Sequence, residues 1–436
     1  MRSRKWVGGI SLAACLVIAL VVTALATGGG KTITAPPVGS GKPSAKKAVC
    51  GMGTGHKATG KKPIKIGSIN MLIPGVDFTT INKLVKAYFQ CVNDNGGIHN
   101  QPVQYITYTE QLNPAQQATL ARKLVQSDHV VGIVGNTSFT ECGTNWKYYK
   151  SKGYQVIGAG VQAECYGTPP YTESNMGPRY SNVGAAQALL KRGAKSLIIA
   201  SPDTIAAYAD GGVLKLAKQH HIKGKSVPTK LPVTDANSVI LNLVQEAGPG
   251  GGVILDFTPD TAPSLMQAAI AQGLINRVKW GSSTPIANTF MAAQFPQFDG
   301  KIFINQEFQN LTKNGPDTNL YRAINKKYSP SVALQAFGQM GYMDAKFATI
   351  AMLKVKGTVT AAKYNKAVRG LKRIKTDMLC KKWYVGNLPY HIPNNTDITV
   401  TYKKGKVVQV DPCFNIAPVD KSLVQTRKWE KQKHLN

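Results

Sequence analysis

Six short stretches of this 436-residue chain combine residue types that could grip a small molecule. They are Asn70–Thr80, Gly135–Cys142, Gly158–Cys165, Ser201–Tyr208, Asp256–Asp260 and Gly281–Pro285, most of them rich in Gly, Ser, Thr, Asn or Asp. Such residues offer hydrogen-bond donors and acceptors without bulk, which suits the grip on a small molecule and equally suits ordinary turns. Nothing marks nucleophilic catalysis: there is no Gly-x-Ser-x-Gly elbow, no His-Glu-x-x-His pair and no recognisable Cys/His dyad. The acids do not cluster at a spacing that suggests paired carboxylates. Gly55 to Lys62 (GHKATGKK) imitates a phosphate-binding loop, but Lys62 stands where a hydroxyl would hold Mg²⁺, and no strand precedes it. Metal ligation is not expected either. Cys-x-x-Cys and Cys-x-x-His spacings are missing, and the adjacent His220 and His221 would point to different faces. No cofactor is expected.

The composition narrows the class. There are 53 Lys+Arg against 22 Asp+Glu, a formal +31, with only 17% charged residues, where an average globular chain has roughly 25%. The excess therefore reflects missing acids as much as added bases. With 43% hydrophobic residues the chain can build a sizeable core. These figures exclude a disordered chain, a coiled coil, a collagen and a polytopic membrane protein. Such a charge would attract an anionic cell-wall polymer or membrane surface. It would also hold nucleic acid nonspecifically, but no helix-turn-helix precedes the folded body, so no specific nucleic-acid partner is expected.

The N-terminus sets the compartment. Arg2, Arg4 and Lys5 precede an uncharged run from Trp6 to Ala26 that ends Ala24-Leu25-Ala26. A basic region, an apolar run and a small-x-small end describe a signal peptide over residues 1–26, and the run is also long enough for a signal anchor. Leu12-Ala13-Ala14-Cys15 resembles a lipidation box, although most of the apolar run follows Cys15. Each version puts the remainder outside the cytoplasm: secreted, in the cell wall or tethered to the membrane. Residues 27–63 hold seven Lys and no acid and read as a basic Gly/Pro/Lys-rich linker. Six further cysteines, Cys50, Cys91, Cys142, Cys165, Cys380 and Cys413, suit disulfides in an oxidising compartment, with fifteen pairings open.

Elements able to position the polar stretches alternate from Ile64 onward. Strands are expected over Ile64–Leu72, Val103–Thr109, Val130–Val134 and Gln155–Ile157, with helices over Thr79–Asn93, Asn113–Ser127 and Trp146–Lys152 between them. A second series follows. Its helices are Asn182–Arg192, Ala206–Gln219, Ala236–Ala247 and Ala262–Gln272, and its strands Ser196–Ala200, Ser226–Leu231, Gly252–Phe257 and Arg277–Gly281. Short apolar strands alternating with amphipathic helices predict parallel sheets covered on both faces. The fold class is therefore α/β with two doubly wound lobes, whose ligands sit beyond the carboxyl ends of the strands.

The stretch IKIGSINMLIPGVDF, followed by VNDNGGIHNQPVQYITYTEQLNPAQQATLARKLVQSDHVVGIVGNTS, resembles the type I periplasmic substrate-binding proteins, and among them the Leu/Ile/Val-binding branch that serves ABC importers. Departures are His99-Asn100 at the family's Gly-type turn and Glu110 in place of the usual Asp. The resemblance implies two parallel-sheet lobes joined by a three-crossover hinge: 64–180 with 309–372, and 181–308 with 373–436. The tail Trp383–Val410, turning at Lys403-Lys404-Gly405, would supply the last strands of the second lobe.

It also implies a ligand set. Ser138 and Thr140 would hold a carboxylate at a helix start, where anion binding has a physical basis. Val161 and Gln162 would follow in the next loop, Tyr208 would cover the ligand, and Asp256 and Thr258 would stand at the next strand end. Ser283 and Thr284, with Ser282, occupy the loop where amino-acid binders place an acid. That departure favours a small polar or amphipathic solute bearing an acid or amide group, with an amino acid retained if Asp256 takes the ammonium. Three local bridges are expected: Cys142–Cys165 across one helix–strand unit, Cys380–Cys413 across the tail strands and, by elimination, Cys50–Cys91. The function so implied is a monomeric, non-enzymatic solute-binding protein that passes its ligand to an ABC importer permease. A receptor domain of the same fold and, more remotely, a secreted hydrolase are the alternatives.

Overall fold

A computed structural model describes residues 48–309, 311–385 and 391–435; residues 1–26, Cys15 included, and most of 27–63 lie outside them. Two mixed sheets organise the described chain. The first is built from β1 (Ile64–Ile73), β2 (Val76–Asp77), β3 (Val103–Glu110), β4 (Gly132–Asn136), β5 (Val156–Gly158) and β6 (Tyr171–Glu173). Its parallel order is β3-β1-β4-β5-β6, and β2 folds back antiparallel on the end of β1, pairing Leu72 with Asp77. The second sheet contains β7 (Ser196–Pro202), β8 (Lys223–Thr229), β9 (Gly252–Leu255), β10 (Lys279–Ser282), β11 (Ile302–Gln306), β12 (Thr396–Lys403) and β13 (Lys406–Asn415). Its order is β8-β7-β9-β10-β11-β12-β13, antiparallel only at the β11–β12 and β12–β13 pairs. Central strands such as β7 and β9 are buried along their whole length, while the edge strand β8 is largely exposed. This is the burial that doubly wound sheets require.

The helices follow in chain order: α1 (Thr79–Asp94), α2 (Pro114–Arg122), α3 (Glu141–Ser151) and α4 (Ala163–Gly167) beside the first sheet, then α5 (Gly177–Lys191), α6 (Asp203–Ala209), α7 (Gly211–Gln219), α8 (Ala236–Ala247), α9 (Ala262–Ala271) and α10 (Thr289–Gln294) beside the second. The chain then returns: α11 (Pro316–Tyr328) and α12 (Ala336–Leu353) pack on α1, and α13 (Ala361–Arg369) packs on α12 and β4, before α14 (Lys421–Gln432) ends it. Local chemistry starts several of these helices. Asn113 accepts the Gln116 amide at 3.1 Å with Pro114 in the first turn, and Asp235 and Asp420 cap α8 and α14 in the same way.

The expected series is present, with informative shifts. The helix expected over Ala206–Gln219 is two helices, α6 and α7, meeting at Asp210, a buried carboxylate that accepts the hydroxyls of Ser201 and Ser226. The helix expected to Ser127 ends in a wide turn over Lys123–Ser127. Helices α3 and α5 start five residues earlier than apolar periodicity indicates, at Glu141 and Gly177. The tail hairpin is present, turning at Lys404-Gly405, where both residues take positive φ (50° and 68°), as a tight hairpin turn demands. It continues to Asn415 and adds two strands to the second sheet.

The three expected disulfides form: Cys50–Cys91, Cys142–Cys165 and Cys380–Cys413, with Cα atoms 5.9, 5.2 and 5.9 Å apart. Cys50 is not an isolated anchor. The amides of Thr54, Ala58 and Gly60 donate to the carbonyls of Asn95, Asn93 and Asn100, so this part of the chain lies along the end of α1 although its side chains are mostly exposed.

The chain passes between the sheets three times, after β6, after β11 and before β12, and the three passages meet at one side chain. The buried Asn394 amide donates to the Ser174 carbonyl at 3.3 Å and to the Glu307 carbonyl at 3.2 Å. Trp383, stacked on Phe347 with ring centres 3.8 Å apart, donates its indole N–H to the Glu173 carbonyl at 2.9 Å. Asn394→Leu would leave two buried carbonyls without their donor, each costing about 1–3 kcal/mol. A denaturant melt should register a loss of at least about 2 kcal/mol, and an unchanged midpoint would show that the passages do not depend on this amide.

Candidate functional site

The carboxyl ends of both sheets open onto one cleft. From the first sheet come Phe78, beyond β2, Thr137 and Phe139, beyond β4, and Ala159 and Val161, beyond β5. From the second come Pro202, the last residue of β7, and Ile205 after it, Asp256, Phe257 and Thr258, beyond β9, Ser283 and Pro285, beyond β10, and Glu307, beyond β11. Asn175, Gly177, Pro178 and Ser181, at and before the start of α5, and Phe337 and Met340 of α12 complete the wall. The space between these walls, partly open to solvent, measures about 50 Å³, small beside the roughly 300 Å³ or more of an ordinary ligand pocket.

Direct contacts close the rim. The Gly75 carbonyl accepts the hydroxyls of Thr258 at 2.9 Å and Thr261 at 2.8 Å, while the Asp77 amide donates to Asp260 at 3.2 Å. Gly75 takes φ +85°, and a Cβ there would lie 2.7 Å from the Thr261 hydroxyl, so the approach needs glycine. The hairpin β1–β2 thus touches the loop after β9 across the cleft mouth.

One wall is aromatic. Phe78 meets Phe139 edge-on with centroids 5.7 Å apart, and Phe337 likewise at 5.5 Å. The other wall holds two carboxyls. Asp256 accepts from Ser283 at 2.5 Å, Asn182 at 2.8 Å and Ser201 at 3.2 Å; burial outweighs these donors and raises its pKa. Glu307 accepts the Met176 amide at 2.6 Å, and burial pushes its pKa up to about 7. No Lys, Arg or His lines the cleft among the described residues.

The residues expected from sequence divide. Val161, Asp256, Thr258 and Ser283 line the cleft. Ser138 turns away from it, donating to Glu110 at 2.6 Å, and the Thr140 hydroxyl accepts from Gln117 at 2.8 Å. Side chains in this extended segment alternate, so Thr137 and Phe139 face the cleft and the two expected hydroxyls face α2. The Gln162 side chain caps α3, accepting the Gly143 amide at 2.9 Å. Tyr208 lies one turn beyond the cleft-lining Ile205, and its ring sits 5.7 Å from the Arg179 guanidinium. Thr284 is buried behind the wall, its hydroxyl 3.1 Å from Ser181 and accepting the Glu307 amide at 3.2 Å. Glu307, Phe139, Phe337 and Met340 were not among the expected residues. Glu307 had a signal, since it follows the apolar run Ile302–Ile304; Phe337 and Met340 lie one turn apart on a helix distant in sequence and had none.

Two facing α/β layers with a cleft at their carboxyl ends, closed at the rim and joined by three passages, define a two-lobed binding protein. Residues 63–404 match the family described as Periplasmic binding protein, and the chain belongs to that family. No curated protein sequence matches the chain. Among solved structures it is similar to a fatty acid ABC transporter substrate-binding protein from Thermomonospora curvata, 16% identical, covering 85% of this chain and 96% of that one with a TM-score of 0.72. It is also similar to a branched chain amino acid ABC transporter from Thermus thermophilus with bound valine, 12% identical, covering 85% and 100% with a TM-score of 0.72. A solute binding protein from R. palustris in complex with 4-hydroxybenzoate is 16% identical, covering 82% and 98% with a TM-score of 0.65. At these identities the likeness establishes the type I periplasmic-binding fold.

The rim contacts are testable. In Thr258→Val/Thr261→Val two hydroxyl donors to Gly75 are lost, each worth about 0.5–1.5 kcal/mol. Solute affinity should fall about 5- to 100-fold with little change in melting temperature, read by calorimetry and by thermal unfolding without solute. Unchanged affinity would mean that these contacts do not contribute to the closed form.

Proposed function

We propose that the protein is an extracytoplasmic solute-binding component that closes its two lobes, 64–180 with 309–372 and 181–308 with 373–436, on one small molecule and delivers it to an ABC importer. The cleft carries this reading: residues from both sheets line it, its rim is bridged by hydrogen bonds, and its volume admits a solute only if the lobes part. Hinge closure of this kind suits capture and release. The ABC transporter solute-binding proteins among the similar structures support the importer as partner.

The chemistry of the walls narrows the solute. Four Phe residues and Met340 ask for an apolar or aromatic body. Asp256 and Glu307 ask for a hydrogen-bond donor, and a solute whose only polar group is a carboxylate would find two acids and no counter-charge. The carboxylate cradle expected at Ser138 and Thr140 is also spent internally: the amides of Thr137 and Thr140 donate to the Ile69 carbonyl and the Ser138 hydroxyl, both at 3.3 Å. Of the solutes considered from sequence, those bearing an amine or amide N–H fit this cleft better than free organic acids.

The pH dependence follows from Glu307. Its folded pKa, about 7, lies above the ordinary 4.5, so it ionises as pH rises through 7, while an aliphatic ammonium stays charged. Affinity for an apolar amine should therefore rise between pH 6 and pH 8, whereas affinity for the matching amide should stay level. Glu307→Gln should flatten the amine profile and cost about 2 kcal/mol at pH 8, the order expected for a buried ammonium left unpaired. Calorimetry with amine, amide and acid forms of one aromatic solute checks this, with 1:1 binding and no turnover expected. Tighter binding of the acid form at pH 8 would overturn the assignment of the walls.

A further inference from the structure

A second concave site lies outside the cleft. Between the end of α13, the segment after it and the C-terminal helix is a pocket of about 360 Å³, lined by Arg369, Lys372, Arg373, Lys433, Trp429 and two aliphatic side chains. Among the described residues no carboxylate lines it, and none of the four cations is in an ion pair.

The nearby acids are committed elsewhere. Asp377 accepts the amides of Asp317 at 2.7 Å and Thr318 at 3.1 Å, capping α11. Glu430 is buried and accepts from Tyr384 at 2.9 Å, Asn395 at 2.7 Å and Lys381 at 3.2 Å. Among the described residues, four positive charges therefore share one concavity with no acid paired to them, an arrangement whose mutual repulsion an anion would relieve.

The walls are also built. Arg373 takes φ 54°, a conformation that a long L side chain rarely adopts. Its Nε donates to the His434 carbonyl at 2.8 Å, which fixes the planar guanidinium at the pocket edge with donors to spare. Trp429 is half-buried and held against Tyr384, with ring centroids 5.4 Å apart. A rigid indole beside a ring of cations suits a molecule with a multiply charged anionic head and an organic body.

We propose that this pocket binds a phosphate ester. Its phosphoryl oxygens lie among Arg369, Lys372, Arg373 and Lys433, and its organic part lies against Trp429. A phosphoryl group carries up to two charges and three acceptor oxygens, which matches several converging cations better than a carboxylate does. A soluble phosphate monoester and the phosphomonoester headgroup of phosphatidic acid share this chemistry.

The test uses the full chain, glycerol phosphate as the soluble probe, and phosphatidic acid vesicles as the lipid probe. Acetate and phosphatidylcholine vesicles are the controls. Saturable binding of either phosphate probe, weakened at least tenfold in Lys372→Gln/Lys433→Gln with an unchanged melting temperature, supports the site. The probe that binds identifies the source. Loss of the accompanying fluorescence change in Trp429→Phe places the ligand against the indole. Arg369→Gln alone should weaken the same probe and leave binding in the cleft unaltered. Binding of neither probe, or binding equal in wild type and the double variant, overturns the proposal, the latter outcome showing diffuse surface charge only.

Discussion

Three passages of chain between the two sheets must stay together while the layers they connect face one another, and one buried amide holds them. Asn394 donates to carbonyls in two of the passages and belongs to the third. The cleft depends on the same spot. Glu307, whose carbonyl Asn394 holds, also accepts the Met176 amide with its carboxyl, just before α5 begins. A strand end, a helix start and a cleft acid are therefore positioned by neighbouring bonds. Moving any one of them disturbs the others, because buried polar groups in a low-dielectric setting cannot exchange partners with water.

The chain's charge imbalance is resolved by sorting. Of its 22 acids, 11 are buried, whereas no described Lys or Arg is. Several of the buried acids are used structurally. Glu110 takes the Ser138 hydroxyl, Glu141 takes Tyr171 at 2.8 Å, and Asp210 takes two serine hydroxyls. Burial raises the pKa of Asp210 to about 7 and of Asp344 to about 8, so near neutrality each carries less than its full negative charge. The outer surface is then more basic than the formal charge indicates, which would strengthen any attraction to anionic surroundings.

Local chemistry made most of the fold readable. Continuous apolar runs such as Leu197–Ala200 and Val253–Leu255, short and set between amphipathic helices, read as central parallel strands, and Asn113-Pro114 and Lys404-Gly405 carry their own cap and turn signals. The break at Asp210 was not readable, because the residues that satisfy its carboxylate, Ser201 and Ser226, lie on two strands that meet only in the folded sheet. In the site, Asp256 and Ser283 were legible as strand ends. Ser138 and Thr140 were placed in the right segment but on its other face, since one residue of offset in extended chain reverses the side.

The sequence by itself determined a basic, two-series α/β chain, the residues at its strand ends and an even set of six cysteines after Cys15. Those properties depend on composition, periodicity and order along the chain, which a sequence displays directly. Only the tertiary structure decided which small polar residues turn toward the cleft, that Phe78, Phe139 and Phe337 form one wall, and that Glu307 joins Asp256 in the other. Each of these depends on elements far apart in sequence being brought face to face, and neither helical nor strand periodicity carries that information.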